Sequence, residues 1–139
     1  MYSPNTSAGT ELFAPGGLDE TRHIVASHRR SPMYTLCIRY TLDPNKIRAF
    51  RTYVENESDV IRKAGGAIVG YFLPTDFAGP TNIAYGLIDF GSLAAYEDYR
   101  NALANDAAHK RNVADLEGEA AVIAMERSIV SRCDAPTAR

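Results

Sequence analysis

Tryptophan is absent from this chain, cysteine occurs twice, and of the three histidines only His109 lies beyond residue 32. Cys37 and Cys133 are far apart and lack metal-type spacing. With a single histidine in the body, they exclude a structural zinc site and read as two reduced thiols in a cytoplasmic protein. Neither sign of charge dominates. Fifteen basic and seventeen acidic residues give a formal net charge of −2, which leaves no electrostatic footprint for nucleic acid. The longest apolar run, Ala67 to Leu73, is far short of the roughly 20 residues needed to cross a bilayer, so no membrane association is expected. The N-terminus lacks the basic and apolar regions of a signal peptide. No phosphate-binding glycine loop, dinucleotide fingerprint, nucleophile elbow or haem-attachment motif occurs, and neither a cofactor nor a metal is expected.

What is present divides at residue 32. Residues 1–32 carry Pro4, Pro15, Pro32, Gly9 and the Gly16-Gly17 pair without a sustained period of 2 or 3.6. This predicts a flexible N-terminal tail, with a short helical turn near Asp19 to Ser27, and places His23 and His28 outside the folded body. Met33 opens directly onto a strand pattern, as a later start codon would. Residues 33–132 form the expected domain, and 133–139 a C-terminal tail.

Within the domain, Met33 to Thr41 is rich in β-branched and aromatic residues and predicts a strand. Asp43-Pro44 supplies a cap followed by proline at a first helical position. Ile47, Phe50, Val54, Ile61 and Ala64 then recur at helical spacing, opposite Lys46, Arg48, Arg51, Glu55, Asp59 and Arg62. Gly65-Gly66 ends that helix. Strands are predicted at Ala67–Leu73 and Asn82–Phe90, separated by a loop from Pro74 to Pro80. Ser92 caps a second helix, Asn105-Asp106 restarts it through His109, Val113 and Leu116, and Gly118 is its expected end. Ala121 to Val130 is the final strand. The order βαββαβ is the ferredoxin-like α+β arrangement with a four-stranded antiparallel sheet.

Helices on one face of such a sheet should leave alternating apolar and polar strands. Here strand two puts Ile68 and Phe72 on one phase and Val69, Tyr71 and Leu73 on the other. Strand three divides Ile83, Tyr85 and Leu87 from Ala84, Ile88 and Phe90. Both faces read as largely apolar, and a monomer would expose a patch beyond what soluble proteins tolerate. A homodimer packing sheet against sheet about a two-fold axis is expected, the N-terminal tail being the competing cover.

The body from Met33 to Arg132 resembles the dimeric α/β-barrel superfamily and, within it, the NIPSNAP family. The matching segments are Arg39-Tyr-Thr-Leu-Asp-Pro-Asn-Lys46, the helix Ile47–Ala64, Gly65-Gly-Ala-Ile-Val-Gly-Tyr-Phe72, the strand Asn82–Phe90 leading into Ser92-Leu-Ala-Ala-Tyr-Glu97, and Asp106-Ala-Ala-His109. The chain departs from the family's Arg-x-Tyr strand ending, because Ile38 falls where the arginine would stand. The resemblance implies the fold and the dimer, and function only loosely, since the fold hosts unrelated chemistries.

A pocket between helices and sheet could take a small apolar or aromatic ligand. The residues placed there are Tyr40, Tyr71, Tyr85, Tyr96, Tyr99 and His109, with Tyr71 and Tyr85 favoured because Gly70 and Gly86 leave room beside them. His109 is the candidate catalytic base, with Asp106 one turn earlier able to hold its ring. The polar neighbours Lys110, Arg111 and Asn112 instead favour a solvent-facing residue, whose replacement by alanine would change stability by less than about 0.5 kcal/mol. Asp76 reads as a loop residue more than a lid. Arg39 and Arg127 are expected to pair with Glu126 or Asp89. Three functions follow: a NIPSNAP-like small-molecule-binding protein, a cofactor-independent monooxygenase or isomerase acting on an aromatic or polyketide-like substrate, or an interaction module.

Overall fold

The computed structural model describes residues 33–133. The tail expected at 1–32, with His23 and His28, and all but Cys133 of the tail expected at 133–139 lie outside the described residues. Four strands, β1 (Tyr34–Leu42), β2 (Ala67–Phe72), β3 (Ile83–Phe90) and β4 (Val122–Ser131), form one sheet in the order β2-β3-β1-β4. Every pairing is antiparallel. Three helices, α1 (Ile47–Lys63), α2 (Leu93–Ala104) and α3 (Ala107–Gly118), complete the ferredoxin-like α+β fold.

The helix boundaries follow from caps. The Asp43 side chain accepts from the Asn45 amide, and Pro44–Lys46 form a short 3-10 turn before α1 begins. At the other end of α1, Gly65 takes φ +105°, a conformation that costs a residue with a Cβ dearly. Ser92 and Asp106 cap α2 and α3 by accepting from the third residue onward, Ala95 and His109. Gly118 is still helical. The left-handed residue after α3 is Ala120, at φ 52°.

One face of the sheet carries the core. Leu36, Ile38, Tyr40 and Leu42 from β1 and Ala84, Ile88 and Phe90 from β3 are buried beneath α1 and α2, with Phe50 and Ile61 of α1 also fully enclosed. Among the described residues the opposite face bears no helix. Phe72 and Tyr85 are exposed there, but β1 contributes Thr35, Cys37, Arg39 and Thr41 to it. The expectation of two apolar faces therefore holds beside β2 and β3 and not along β1.

β2 also departs from simple alternation. Ile68 faces Ile88 and Gly70 faces Leu87, which leaves Val69 as an extra residue, a β-bulge. Beyond the bulge the phase is reversed: Tyr71 joins Ile68 on the helix side, and Phe72 goes to the bare side.

Candidate functional site

Between the helices and the sheet lies a cavity of about 630 Å³, within the range of small-molecule sites. Its walls include Leu36, Ile38 and Tyr40 of β1, Tyr71 of β2, Tyr53, Glu57 and Ile61 of α1, Tyr99, Arg100 and Leu103 of α2, His109, Val113 and Glu117 of α3, and Met125 and Arg127 of β4. The cavity exists because β4 extends past the helical layer. Every β4 residue from Ile123 onward is exposed, and among the described residues no helix fills the space above its inner face.

The polar centre of this cavity is Glu57, whose side chain is only 1% exposed. Its position is dictated by α1: Glu57 follows Phe50 by seven residues and precedes Ile61 by four, so it stands in the apolar stripe. A carboxylate so enclosed requires partners, and two come from α3. Asn112 Nδ2 donates to Oε2 at 2.9 Å, and His109 Nδ1 meets Oε1 in a short hydrogen bond. An ionised carboxylate only accepts, so Nδ1 carries the hydrogen and Nε2 of a neutral ring presents a lone pair. Among the described residues Nε2 has no protein partner.

Phenols surround this pair. The Tyr40 ring packs at a tilt against Phe50 with centroids 4.7 Å apart and lies 6.5 Å from the Tyr71 ring. Tyr71 fits because its strand neighbour is Gly86, where an added Cβ would come within 2.6 Å of the Tyr71 ring. Burial pushes the Tyr99 phenol up to about 12. Burial, reinforced by a neighbouring phenol, pushes Tyr40, Tyr53 and Tyr71 further above the ordinary tyrosine range. All four remain protonated donors at physiological pH.

Of the residues proposed from sequence, Tyr40, Tyr71, Tyr99 and His109 line the cavity together. Tyr85 does not. It is 41% exposed on the bare face, opposite Phe72, because period-2 alternation sends it away from its neighbours Ala84 and Gly86. Tyr96 packs edge-on against Phe90 instead, and Asp76 sits in an exposed loop away from the cavity. His109 is not solvent-facing: its side chain is 24% exposed and tied to Glu57. Asp106 holds the His109 backbone amide at 2.9 Å and not the ring. Asp89 is taken by Arg132 at 2.7 Å and by the Thr35 hydroxyl at 2.5 Å, and Glu126 lies opposite Arg39. Arg127 therefore lacks both acids expected for it. Glu57 and Tyr53 were not singled out in the sequence, although both lie within the helical stripe that includes Phe50 and Ile61.

The NIPSNAP family profile matches residues 34–135. The fold resembles an uncharacterized NIPSNAP-like domain protein from Burkholderia xenovorans, with 25% identity, a TM-score of 0.65, and 78% of this chain and 92% of that one covered. A NIPSNAP family protein of unknown function from Agrobacterium tumefaciens gives 24% identity and TM-score 0.65 over 76% of this chain and 92% of that one. A candidate antibiotic biosynthesis monooxygenase from Nitrosomonas europaea shares the fold at 11% identity and TM-score 0.57, covering 76% and 94%. Among curated proteins none matches. Among the described residues no helix is long and apolar enough to cross a membrane. The chain belongs to the NIPSNAP family.

Proposed function

We propose that this protein binds a small aromatic or polyketide-like molecule in its cavity and moves a proton on it without a cofactor. His109 Nε2 is the base, and Glu57 holds the ring in the tautomer that leaves Nε2 free. The phenols of Tyr40, Tyr71 and Tyr99 donate to the oxygen on which charge develops, in the manner of an oxyanion hole. Removing a proton from the carbon between the carbonyl and the double bond of a β,γ-unsaturated ketone gives a dienolate, and returning it to the γ carbon isomerises the ligand. The observation that carries this reading is the pairing of buried Glu57 with His109 at the wall of a phenol-lined cavity.

The bicyclic ketone 2-tetralone, dissolved in heavy water with the full chain, tests it by proton NMR. Exchange of the α-hydrogens should run well above the buffer rate and fall to that rate in His109→Gln. Equal rates with and without protein would end the proposal.

We further propose that the protein is a homodimer, packing bare sheet face against bare sheet face. Supporting this are Phe72 and Tyr85, 49% and 41% exposed side by side on a face that no helix of the described residues covers. Light scattering of the full chain should give twice its 15.2 kDa mass, and Tyr85→Ser should shift it toward the monomer. A wild-type monomer at high concentration would refute the dimer while leaving the cavity chemistry standing.

A further inference from the structure

Taking the cavity as a ligand site, we infer that its ligand carries a carboxylate and that Arg127, supported by Arg100, is the group that receives it. Arg127 lies opposite Ile38 in the sheet register, and Ile38 is buried on the helix side. The arginine thus occupies the cavity face of β4, in a row between Met125 and Ile129. Its charge acts on the phenols of Tyr40, Tyr53 and Tyr99, which it holds lower than burial alone would. Arg127 lines the cavity together with those three tyrosines.

The acids nearby do not neutralise it. Glu57 has both oxygens engaged by His109 and Asn112. Glu126 alternates to the bare face opposite Arg39, and Asp89 is bound by Arg132. Glu117, the remaining acid on the cavity wall, is exposed near the end of α3. Among the described residues neither Arg127 nor Arg100 has a carboxylate within 4 Å.

An arginine stays charged at any physiological pH, and its planar fork matches a carboxylate in a two-point hydrogen bond. Arg100 of α2 brings a second guanidinium to the same cavity. Beside them the space is apolar and aromatic, with room for fused rings in about 630 Å³. The ligand class that uses all of this is an aromatic or alicyclic carboxylic acid: rings among Tyr40, Tyr71 and Tyr99, acid group at Arg127.

Isothermal titration calorimetry on the full chain with two probes of equal shape, 2-naphthoate and 2-naphthalenemethanol, tests this. The acid should bind at least about tenfold more tightly than the alcohol, the discrimination expected of a charge-assisted hydrogen bond, and salt should weaken the acid alone. Arg127→Gln should bring the two within about twofold while leaving the alcohol's affinity unchanged, and Arg127→Lys should restore part of the preference. Equal binding of both probes by the wild type overturns the carboxylate assignment and leaves the cavity as a ligand site. An acid preference that survives Arg127→Gln overturns the role of Arg127. Failure of both probes to bind overturns the ligand-site reading together with it. The wild-type comparison stands whether or not any variant folds.

Discussion

β3 and β4 are both antiparallel partners of β1, one on each side, along nearly its whole length. On their helix-facing sides they share little else. β3 buries Ala84, Gly86, Ile88 and Phe90, whereas β4 exposes Met125, Arg127 and Ile129. Hydrogen-bond pairing fixes where a strand lies. Burial depends on what lies over it, and here the helices cover β2, β3 and β1 and stop. The uncovered strip becomes the open wall of the cavity, which is why a charged residue is tolerated at Arg127 and none stands in the matching row of β3.

This contrast can be broken experimentally. Ile88→Ala, at a fully enclosed position, should cost about 2–5 kcal/mol in chemical denaturation; a loss below about 1 kcal/mol would show that the helices do not seal β3. His109→Ala should cost about 1–3 kcal/mol, because it strips one partner from buried Glu57. That reverses the near-neutral effect expected of a solvent-facing histidine, and a neutral result would place Glu57 in contact with water.

The tyrosine cluster gives a pH signature. A phenol whose folded pKa is raised binds its proton more tightly when folded. Its contribution is complete below the unfolded value near 10 and is lost as pH rises through the folded one, about 12 for Tyr99. Stability should therefore decline above about pH 10, and Tyr99→Phe should flatten that decline in alkaline melts. A wild-type decline that Tyr99→Phe leaves unaltered would mean that this phenol is not sealed from solvent. Smallest is Ile129→Ala on β4, 40% exposed, expected within about 0.5 kcal/mol. A loss as large as that of Ile88→Ala would mean that another chain covers this strip.

Most of the scaffold was readable because its signals are local. Asp43, Ser92 and Asp106 announced their helices by side-chain chemistry that acts within a few residues, and the strands announced themselves by β-branched and aromatic content. Half of the site was also readable, since tyrosines on the buried phase of β1 and α2 had to face the helix–sheet layer. The Glu57–His109 pair was not, because its partners stand 52 residues apart and meet only when α3 packs on α1. One signal was available: a glutamate in step with Phe50 and Ile61 breaks an otherwise apolar stripe, and a buried carboxylate needs a donor. Tyr85 was misplaced for a related reason. Its glycine neighbour made room for Tyr71 on the adjoining strand and not for Tyr85 itself.

The extra residue at Val69 has a consequence for how such a pocket can diverge. The bulge absorbs Val69 as a surplus residue, so Tyr71 pairs with Gly86 inside the chamber and Phe72 stays outside; the same residues in plain alternation from Ile68 would put the bare ring inside and the phenol outside. Chemical character at this wall is thus governed by where the backbone takes up one extra residue as much as by residue identity. Relatives with the same residues here but without the bulge would offer a guest a bare ring in place of a phenol while keeping the same frame.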